Sequence, residues 1–226
     1  MGSRAMVLFH IGWAQVLRQC CATDDVVFGT VLSGRLQGVE GADQALGLFI
    51  NTLPIRLSLA DLSAAAAVDA TYARLTELLA HEQAPLALAQ RCSGVQSPLP
   101  LFTTLLNYRH SHVATGEQVQ AEALAWDGVR TYPSEERTNY PVTLSVDDLG
   151  QGFGLNVQCL DLDPLRLAAM LDNAMASLTA ALLTQPDQAM RSLAVLCDGR
   201  ARAGAGLSFN ATAVDYPTDV LVHQLF

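Results

Sequence analysis

Apolar and polar residues alternate strictly in two runs between residues 142 and 159, separated by a turn at residues 147–152. A period of two is typical of a strand that packs one face on a core. The pattern therefore predicts an antiparallel hairpin with one buried face. Thr143 and Ser145 are expected on the opposite, solvent-facing side. The apolar positions are Val142, Leu144, Val146, Phe153, Leu155, Val157 and Cys159.

Three further stretches carry apolar residues at helical spacing. The first covers about residues 4–21, and the second begins at a capping Asp61 or Ser63 and ends near His81. The third begins at Asp163, with Pro164 at the first helical position, and stops before residue 185. Each apolar stripe predicts a helix that packs on a sheet. The stripe of the second helix comprises Leu62, Ala66, Val68, Tyr72, Leu75 and Leu79.

Continuous apolar runs predict buried strands elsewhere in the chain. Residues 26–32 are apolar and rich in β-branched side chains, which favours a strand buried on both faces. This run ends at Ser33 and Gly34, and a second apolar run at residues 47–50 leads into Asn51 and Thr52. A third strand is predicted at residues 101–108. Two buried segments that each end in small, hydrogen-bonding residues indicate the wall of a cleft.

Four of these segments also resemble a known family, the condensation domains of nonribosomal peptide synthetases. The resemblance to the C-terminal half of such a domain covers about residues 5–195. It is carried by GTVLSGR at residues 29–35 and GLFINTLPIR at residues 47–56. HEQAPL at residues 81–86 is similar to a later motif of the family, and FTTLLNYR at residues 102–109 is similar to the strand that follows that motif. The resemblance implies an α/β, chloramphenicol-acetyltransferase-like lobe, with a mixed sheet and helices packed mainly on one face.

The family resemblance implies a function and a tunnel. Family members form an amide bond between two aminoacyl or peptidyl thioesters that are tethered to carrier proteins. No cofactor is expected on the chain itself, because phosphopantetheine arrives on the partner carrier domains. The side chains expected to line the substrate tunnel are Ser33, Gly34, Arg35, Asn51, Thr52, Asn107, Tyr108 and Arg109.

Each tunnel candidate has a structural alternative. Gly34 could simply make a turn, and Arg35 could pair with Asp24 or Glu40 instead of an anionic group. Asn51 and Thr52 could satisfy backbone groups at a strand end, which is the interpretation we favour. The segment from residue 107 to residue 109 could be only the end of a buried strand.

No catalytic residue is assigned in this chain. Catalysis in the family depends on a His-His-x-x-x-Asp-Gly motif, and none of the five histidines lies in one. His110 and His112 are interpreted as a pair at a strand end, although residues 107–111 are similar to the dual condensation/epimerisation subtype. The chain is therefore expected to be a fragment of an acyl transferase that lacks the catalytic lobe and is inactive alone. The alternatives are an epimerisation domain or stand-alone acyltransferase of the same superfamily, and a non-catalytic interaction module.

Composition excludes several other classes. All 13 basic residues are arginine and the net charge is −9, so no basic patch for nucleic acid is expected. The five cysteines form no C-x-x-C pair, which argues against a zinc site and fits a reducing cytoplasm; Cys20 and Cys159 are interpreted as buried. No metal-ligand spacing appears. No apolar stretch reaches the roughly 18 residues of a membrane span.

Composition also divides the chain. Residues 1–196 are expected to form the C-terminal condensation lobe, and residues 197–208, rich in Gly, Ala and Arg, a linker. Residues 209–226 resemble the opening of an adenylation domain. The partners that the resemblance implies are an N-terminal condensation lobe, peptidyl carrier domains and an adenylation domain.

Overall fold

A computed structural model of the chain describes residues 2–34, 46–96, 98–110, 128 and 138–196. The helices are α1 (Gly2–Cys21), α2 (Ala64–Leu79), α3 (Leu86–Cys92) and α4 (Pro164–Thr184), followed by a 3-10 turn at Met190–Ser192. Ser63 caps α2 through a hydrogen bond from the Ala66 N–H, and Asp163 caps α4. The predicted helices are therefore confirmed, with Ser63 as the cap.

Five strands form a single mixed sheet. They are β1 (Asp25–Leu32), β2 (Asn51–Ser58), β3 (Thr104–His110), β4 (Val142–Asp148) and β5 (Phe153–Cys159), in the order β2-β1-β3-β4-β5. The three central strands β1, β3 and β4 are parallel, whereas the edge strands β2 and β5 run antiparallel to their neighbours. Parallel central strands are usually buried on both faces. In β1 this expectation is met only in part, because Phe28, Gly29 and Thr30 are buried but Val27 is exposed and Val31 is half-buried.

The helices cover one face of this sheet, as expected. Helix α1 packs against β1 and β3, α4 against α1 and β5, and α2 beside them near β2. Helix α1 is buried nearly all round from residue 9 to residue 17, because the sheet, α2 and α4 surround it. Gly12 of α1 lies close to Met175 of α4. A Cβ atom at Gly12 would lie 2.7 Å from the Met175 sulfur, so a larger residue would displace the Met175 side chain.

Three expectations about faces are wrong. Phe153 and Leu155, expected on the buried face of the hairpin, are exposed. Thr143 and Ser145 are buried on the face opposite the helices, and the Thr143 hydroxyl lies 2.6 Å from that of Thr138. The opposite face of this hairpin is therefore covered near Thr143. The alternation of apolar and polar residues could not distinguish a solvent-exposed polar face from a buried polar face. In α2 the buried stripe is Ala64, Ala67, Thr71 and Leu75, while Tyr72 is exposed.

Two further expectations about burial are also wrong. The apolar run at residues 47–50 was expected to be buried, but Leu48 and Ile50 are exposed. The reason is that β1 ends at Leu32, opposite Asn51, so the preceding residues have no strand to pair with. Cys20 is exposed at the end of α1, and Cys159 is half-buried.

Helix α4 is the one helix among the described residues that is long and apolar enough to cross a membrane by length and composition. The expectation that no stretch reaches this length is therefore wrong. Its buried residues recur on one face, as in a helix packed on a protein core. They are Leu167, Met170, Leu171, Ala174, Leu178 and Ala181.

The compact unit that the structure describes ends at Val195. After α4 the chain returns along the start of α2, where the Ala64 N–H donates to Gln188 O at 2.9 Å. Met190 and Val195 are buried there, and Gln15 of α1 donates to the Met190 carbonyl at 3.4 Å. The predicted linker and adenylation-like segment, residues 197–226, lie outside the described residues.

Candidate functional site

The candidate residues lie along one edge of the sheet, which we call the cleft edge. Parallel strands β1, β3 and β4 all end there, and the antiparallel strands β2 and β5 begin there. Asn51 reaches this edge although the segment before it is not a strand, because the antiparallel register places Leu32 opposite Asn51. The ladder between β1 and β3 covers only Gly29↔Leu105 and Thr30↔Leu106. The described candidates are thus brought to one edge in two groups, one on β1 and β2 and one on β3.

Ser33 and Gly34 form the turn that follows β1. Ser33 is exposed, whereas Gly34 is buried and has a φ of +68°. A Cβ at Gly34 would overlap the carbonyl oxygen of Phe49. Glycine is therefore required on two grounds, the left-handed backbone and the contact with Phe49. Arg35, the next tunnel candidate, lies outside the described residues.

The segment at residues 81–85, which we call the clamp turn, holds the beginning of β2. Asn51 Nδ2 donates to the carbonyls of Glu82 and Ala84, at 2.8 Å each. Asn51 Oδ1 accepts from the Thr52 N–H at 2.9 Å. The amide of Asn51 is thus engaged with backbone groups at both ends, which favours the structural role for Asn51.

The clamp turn also contacts β1. Gln83 Nε2 donates to the carbonyl of Gly34 at 2.7 Å. Gln83 belongs to the HEQAPL motif, but its spacing of 49 residues from Gly34 gave no sign of the contact. The motif around residue 30, that around residue 51 and the HEQAPL segment therefore meet at one point.

On β3 and β4 the cleft edge is held by charged groups. Asp148 Oδ2 accepts from the Tyr108 hydroxyl at 2.7 Å and from His110 Nδ1 at 3.0 Å, and Asp148 Oδ1 accepts from the Gly150 N–H at 3.0 Å. Hydrogen bonds from Tyr108, Gly150 and His110 lower the pKa of Asp148. Burial and the bond to Asp148 raise the pKa of Tyr108 well above its usual range. Tyr108 is therefore a neutral donor that braces a carboxylate.

Arg109 and Asp147 form a second pair on the other face of the sheet. Arg109 Nε donates to Asp147 Oδ1 at 2.7 Å and Nη2 donates to Oδ2 at 3.1 Å. Asn107 lies on the same face of β3, in register with Ser145. Because alternate residues of a strand point to opposite faces, Tyr108 does not share a face with Asn107 and Arg109. Sequence reasoning had assigned Asp147 and Asp148 to a turn and missed both partners.

The histidines show no common site within the described part of the chain. His10 is fully buried in α1, where Nδ1 donates to Met6 O at 2.7 Å and Nε2 accepts from the Thr30 hydroxyl at 2.8 Å. His81 follows the end of α2, and His110 ends β3, as expected. His112 lies outside the described residues. No group of three possible metal-ligating side chains occurs among the described residues.

The cleft edge can bind a ligand by hydrogen bonding. It presents the exposed Ser33 on a turn fixed from two sides, and Asn107 on a strand whose end is braced by two carboxylates. Such fixed polar groups suit the positioning of a substrate between this edge and a facing surface.

Comparison with known proteins gives a consistent result. Residues 2–203 match the family model described as "Condensation domain". The chain is 42% identical over its full length to malpibaldin synthetase of Mortierella alpina, and 31% identical over 95% of its length to a linear gramicidin synthase protein of Brevibacillus parabrevis. It spans 4% of the length of each of these two relatives.

Solved structures share the fold at low sequence identity. A four-domain nonribosomal peptide synthetase bound to AMP and glycine superposes with a TM-score of 0.66 at 18% identity, over 87% of this chain and 16% of that one. The condensation domain of the monacolin K polyketide synthase gives a TM-score of 0.60 at 18% identity, over 82% of this chain and 42% of that one. The α/β, chloramphenicol-acetyltransferase-like fold is thereby confirmed.

Proposed function

This chain belongs to the condensation-domain family of nonribosomal peptide synthetases, and on that premise we propose that it is the C-terminal lobe of such a domain. Its reaction would be amide-bond formation between two carrier-tethered aminoacyl or peptidyl thioesters. The observation that carries the proposal is the convergence of three family-like motifs at the cleft edge, through the hydrogen bonds of Asn51 and Gln83.

The proposal divides the work among the candidate residues. Ser33 and Asn107 line the tunnel, together with Arg35 and the backbone of Gly34. Asn51, Tyr108 and Arg109 hold the frame, because their side chains are engaged with backbone groups, with Asp148 and with Asp147, respectively. Thr52 belongs to the frame through its N–H, which donates to Asn51 Oδ1. Residues 1–196 form the lobe, residues 197–208 the linker and residues 209–226 the beginning of an adenylation domain.

The partners follow from the reaction. An N-terminal lobe supplies the His-His-x-x-x-Asp-Gly motif, whose second histidine acts as general base or stabilises developing charge. Two peptidyl carrier domains deliver substrates on phosphopantetheine. This chain then supplies one wall that holds the amine and the thioester together, and positioning of that kind can account for a large share of a rate enhancement.

The test is reconstitution with purified components. The full chain is mixed with an acylated donor carrier and an aminoacylated acceptor carrier, with and without the N-terminal lobe. We expect dipeptidyl product only when both lobes are present, and none when the motif's second histidine is replaced by alanine. Product from this chain alone would contradict the proposal. A complex of the two lobes without product would favour the interaction module.

The same reaction also tests the roles proposed for Ser33 and Arg35 and the condensation subtype. Ser33→Ala and Arg35→Ala should reduce product formation without lowering stability if both side chains line the tunnel. Chiral analysis of the product tests the dual condensation/epimerisation subtype. Inversion of the donor residue would support that subtype, and retention would exclude it.

A further inference from the structure

We infer that Gln83 is a positioning residue for the turn formed by Ser33 and Gly34, and that it acts on the bound substrate through that turn. Its consequence for substrate binding rests on the proposed function. Its geometry rests only on contacts among the described residues.

The Gly34 carbonyl is held by a side chain and not by the sheet. Gly34 lies two residues beyond the last paired position of β1, Leu32↔Asn51, so its carbonyl is outside the ladder. Gln83 Nε2 donates a 2.7 Å hydrogen bond to it, and Phe49 blocks the turn from the other side. A buried carbonyl needs such a donor. Gln83 therefore fixes the orientation of the peptide group that follows Gly34, one residue beyond the exposed Ser33.

Gln83 is itself fixed by the hydrogen bonds of its two neighbours. It lies between Glu82 and Ala84, and both carbonyls of those neighbours accept from Asn51 Nδ2 at 2.8 Å. The Ala84 N–H donates to His81 O at 2.8 Å, which closes the clamp turn. The backbone of Gln83 is thus anchored to β2 while its side chain holds the end of β1. A donor held in this way loses little freedom when its bond forms.

A positioning role of Gln83 and a purely stabilising role would have different effects on KM. Gln83 is exposed, so replacing it leaves no cavity in the core. A residue that mattered only for stability would lower the fraction of folded enzyme, and therefore the maximum rate, but not the KM of the molecules that remain folded. A positioning residue raises KM instead.

The chain contains a matched control. Gln90 in α3 also uses its Nε2 to hold loop carbonyls, donating to Val95 O at 3.2 Å and Leu99 O at 3.1 Å. That loop precedes β3 at the opposite end from the cleft edge. Gln90→Met and Gln83→Met therefore remove the same kind of bond, at and away from the proposed site.

The experiment uses the full chain with the N-terminal lobe, and a panel of aminoacyl N-acetylcysteamine thioesters as acceptors with a carrier-bound aminoacyl donor. We expect Gln83→Met to raise the acceptor KM about tenfold, because the substitution removes one hydrogen bond. Gln83→Glu, which sets an oxygen against the Gly34 carbonyl, should raise it further. Gln90→Met should leave KM unchanged. Equal KM values for wild type and Gln83→Met would overturn the inference and leave the proposed function standing.

A second measurement decides the case in which wild type makes no product, which would count against the proposed function. Hydrogen exchange of the peptide containing Gly34 is then compared between the two glutamine variants. Faster exchange in Gln83→Met than in Gln90→Met supports the positioning of the turn. Identical exchange in both overturns it.

Discussion

The two halves of the cleft edge are held together by different chemistry. At β1 and β2 the bonds run from neutral amides, Asn51 and Gln83, to backbone carbonyls of the clamp turn and of Gly34. At β3 and β4 they run to two carboxylates, Asp147 and Asp148, from cationic, phenolic and imidazole donors. The bonds of the neutral half should keep their geometry as the salt concentration changes, whereas the charged half should respond to salt.

The two halves of the cleft edge also differ in the sequence separation of the segments that they join. The charged half joins β3 to β4 across the described ladder, so each carboxylate meets a donor on the adjacent strand. The neutral half joins three segments, because the clamp turn is 31 residues from Asn51 and 49 from Gly34. Damage to the neutral half should therefore affect more of the fold.

The largest expected effect is a break at Gly34. Gly34→Ala would force a Cβ onto the Phe49 carbonyl in a backbone of positive φ, and we expect a loss of about 3 to 4 kcal/mol in the free energy of unfolding. Gly94 has a φ of +75° and nothing within 4 Å of its Cβ position, so Gly94→Ala should cost about 1 kcal/mol. Urea denaturation of both variants measures the difference. Similar losses would mean that the contact with Phe49 is unimportant.

The next effect is a pH dependence that arises away from the cleft edge. Burial lowers the pKa of His10 from 6.5 to about 4. The unfolded chain therefore binds a proton between these values while the folded chain does not, and stability should fall by about 3 kcal/mol as pH drops from about 6.5 to about 4. It should be fully present above pH 6.5.

His10→Met should remove this dependence, and thermal denaturation across that pH range is the measurement. Asp148 contributes in a separate window. Its pKa is lowered from 3.8, so its contribution is present above that value and is lost as pH falls below it. A pH dependence that persists between pH 6.5 and about 4 in His10→Met would show that burial of His10 does not cause it.

Sequence reasoning found the elements better than the site. The apolar run at residues 26–32 and the alternation at residues 142–159 identified β1, β4 and β5, since period and β-branching depend on neighbours along the chain. Thr143 was misplaced because its burial depends on what covers the far face of the sheet. Gln83 and Asp148 were missed because their partners are 49 and 40 residues away. Strand register and turn geometry determine which residues form such pairs, and neither can be predicted from the local composition of the chain.

A smaller effect should follow from loss of the amide at β2. Asn51→Ala removes two donors and one acceptor from backbone groups that are partly buried, so we expect a loss of about 2 kcal/mol. This loss should be the same at low and high salt. Asn156→Ala, at an exposed position of the edge strand β5, should change stability by less than about 0.5 kcal/mol. A salt-dependent loss at Asn51 would contradict the neutral character of that half.

The smallest expected effect tests the charged half. The side chains of Arg109 and Asp147 are 41% and 31% exposed, and pairs of this exposure contribute little because water screens them. Asp147→Asn should therefore cost less than about 1 kcal/mol at low salt. The cost should shrink toward zero near about 1 M salt, where the screening length falls to about 3 Å. The measurement is urea denaturation of Asp147→Asn and wild type at both salt concentrations, with Asn51→Ala as the salt-insensitive reference. A loss at Asp147 that equals the loss at Asn51 and ignores salt would remove the distinction between the two halves, because the pair would then act through packing and not through charge.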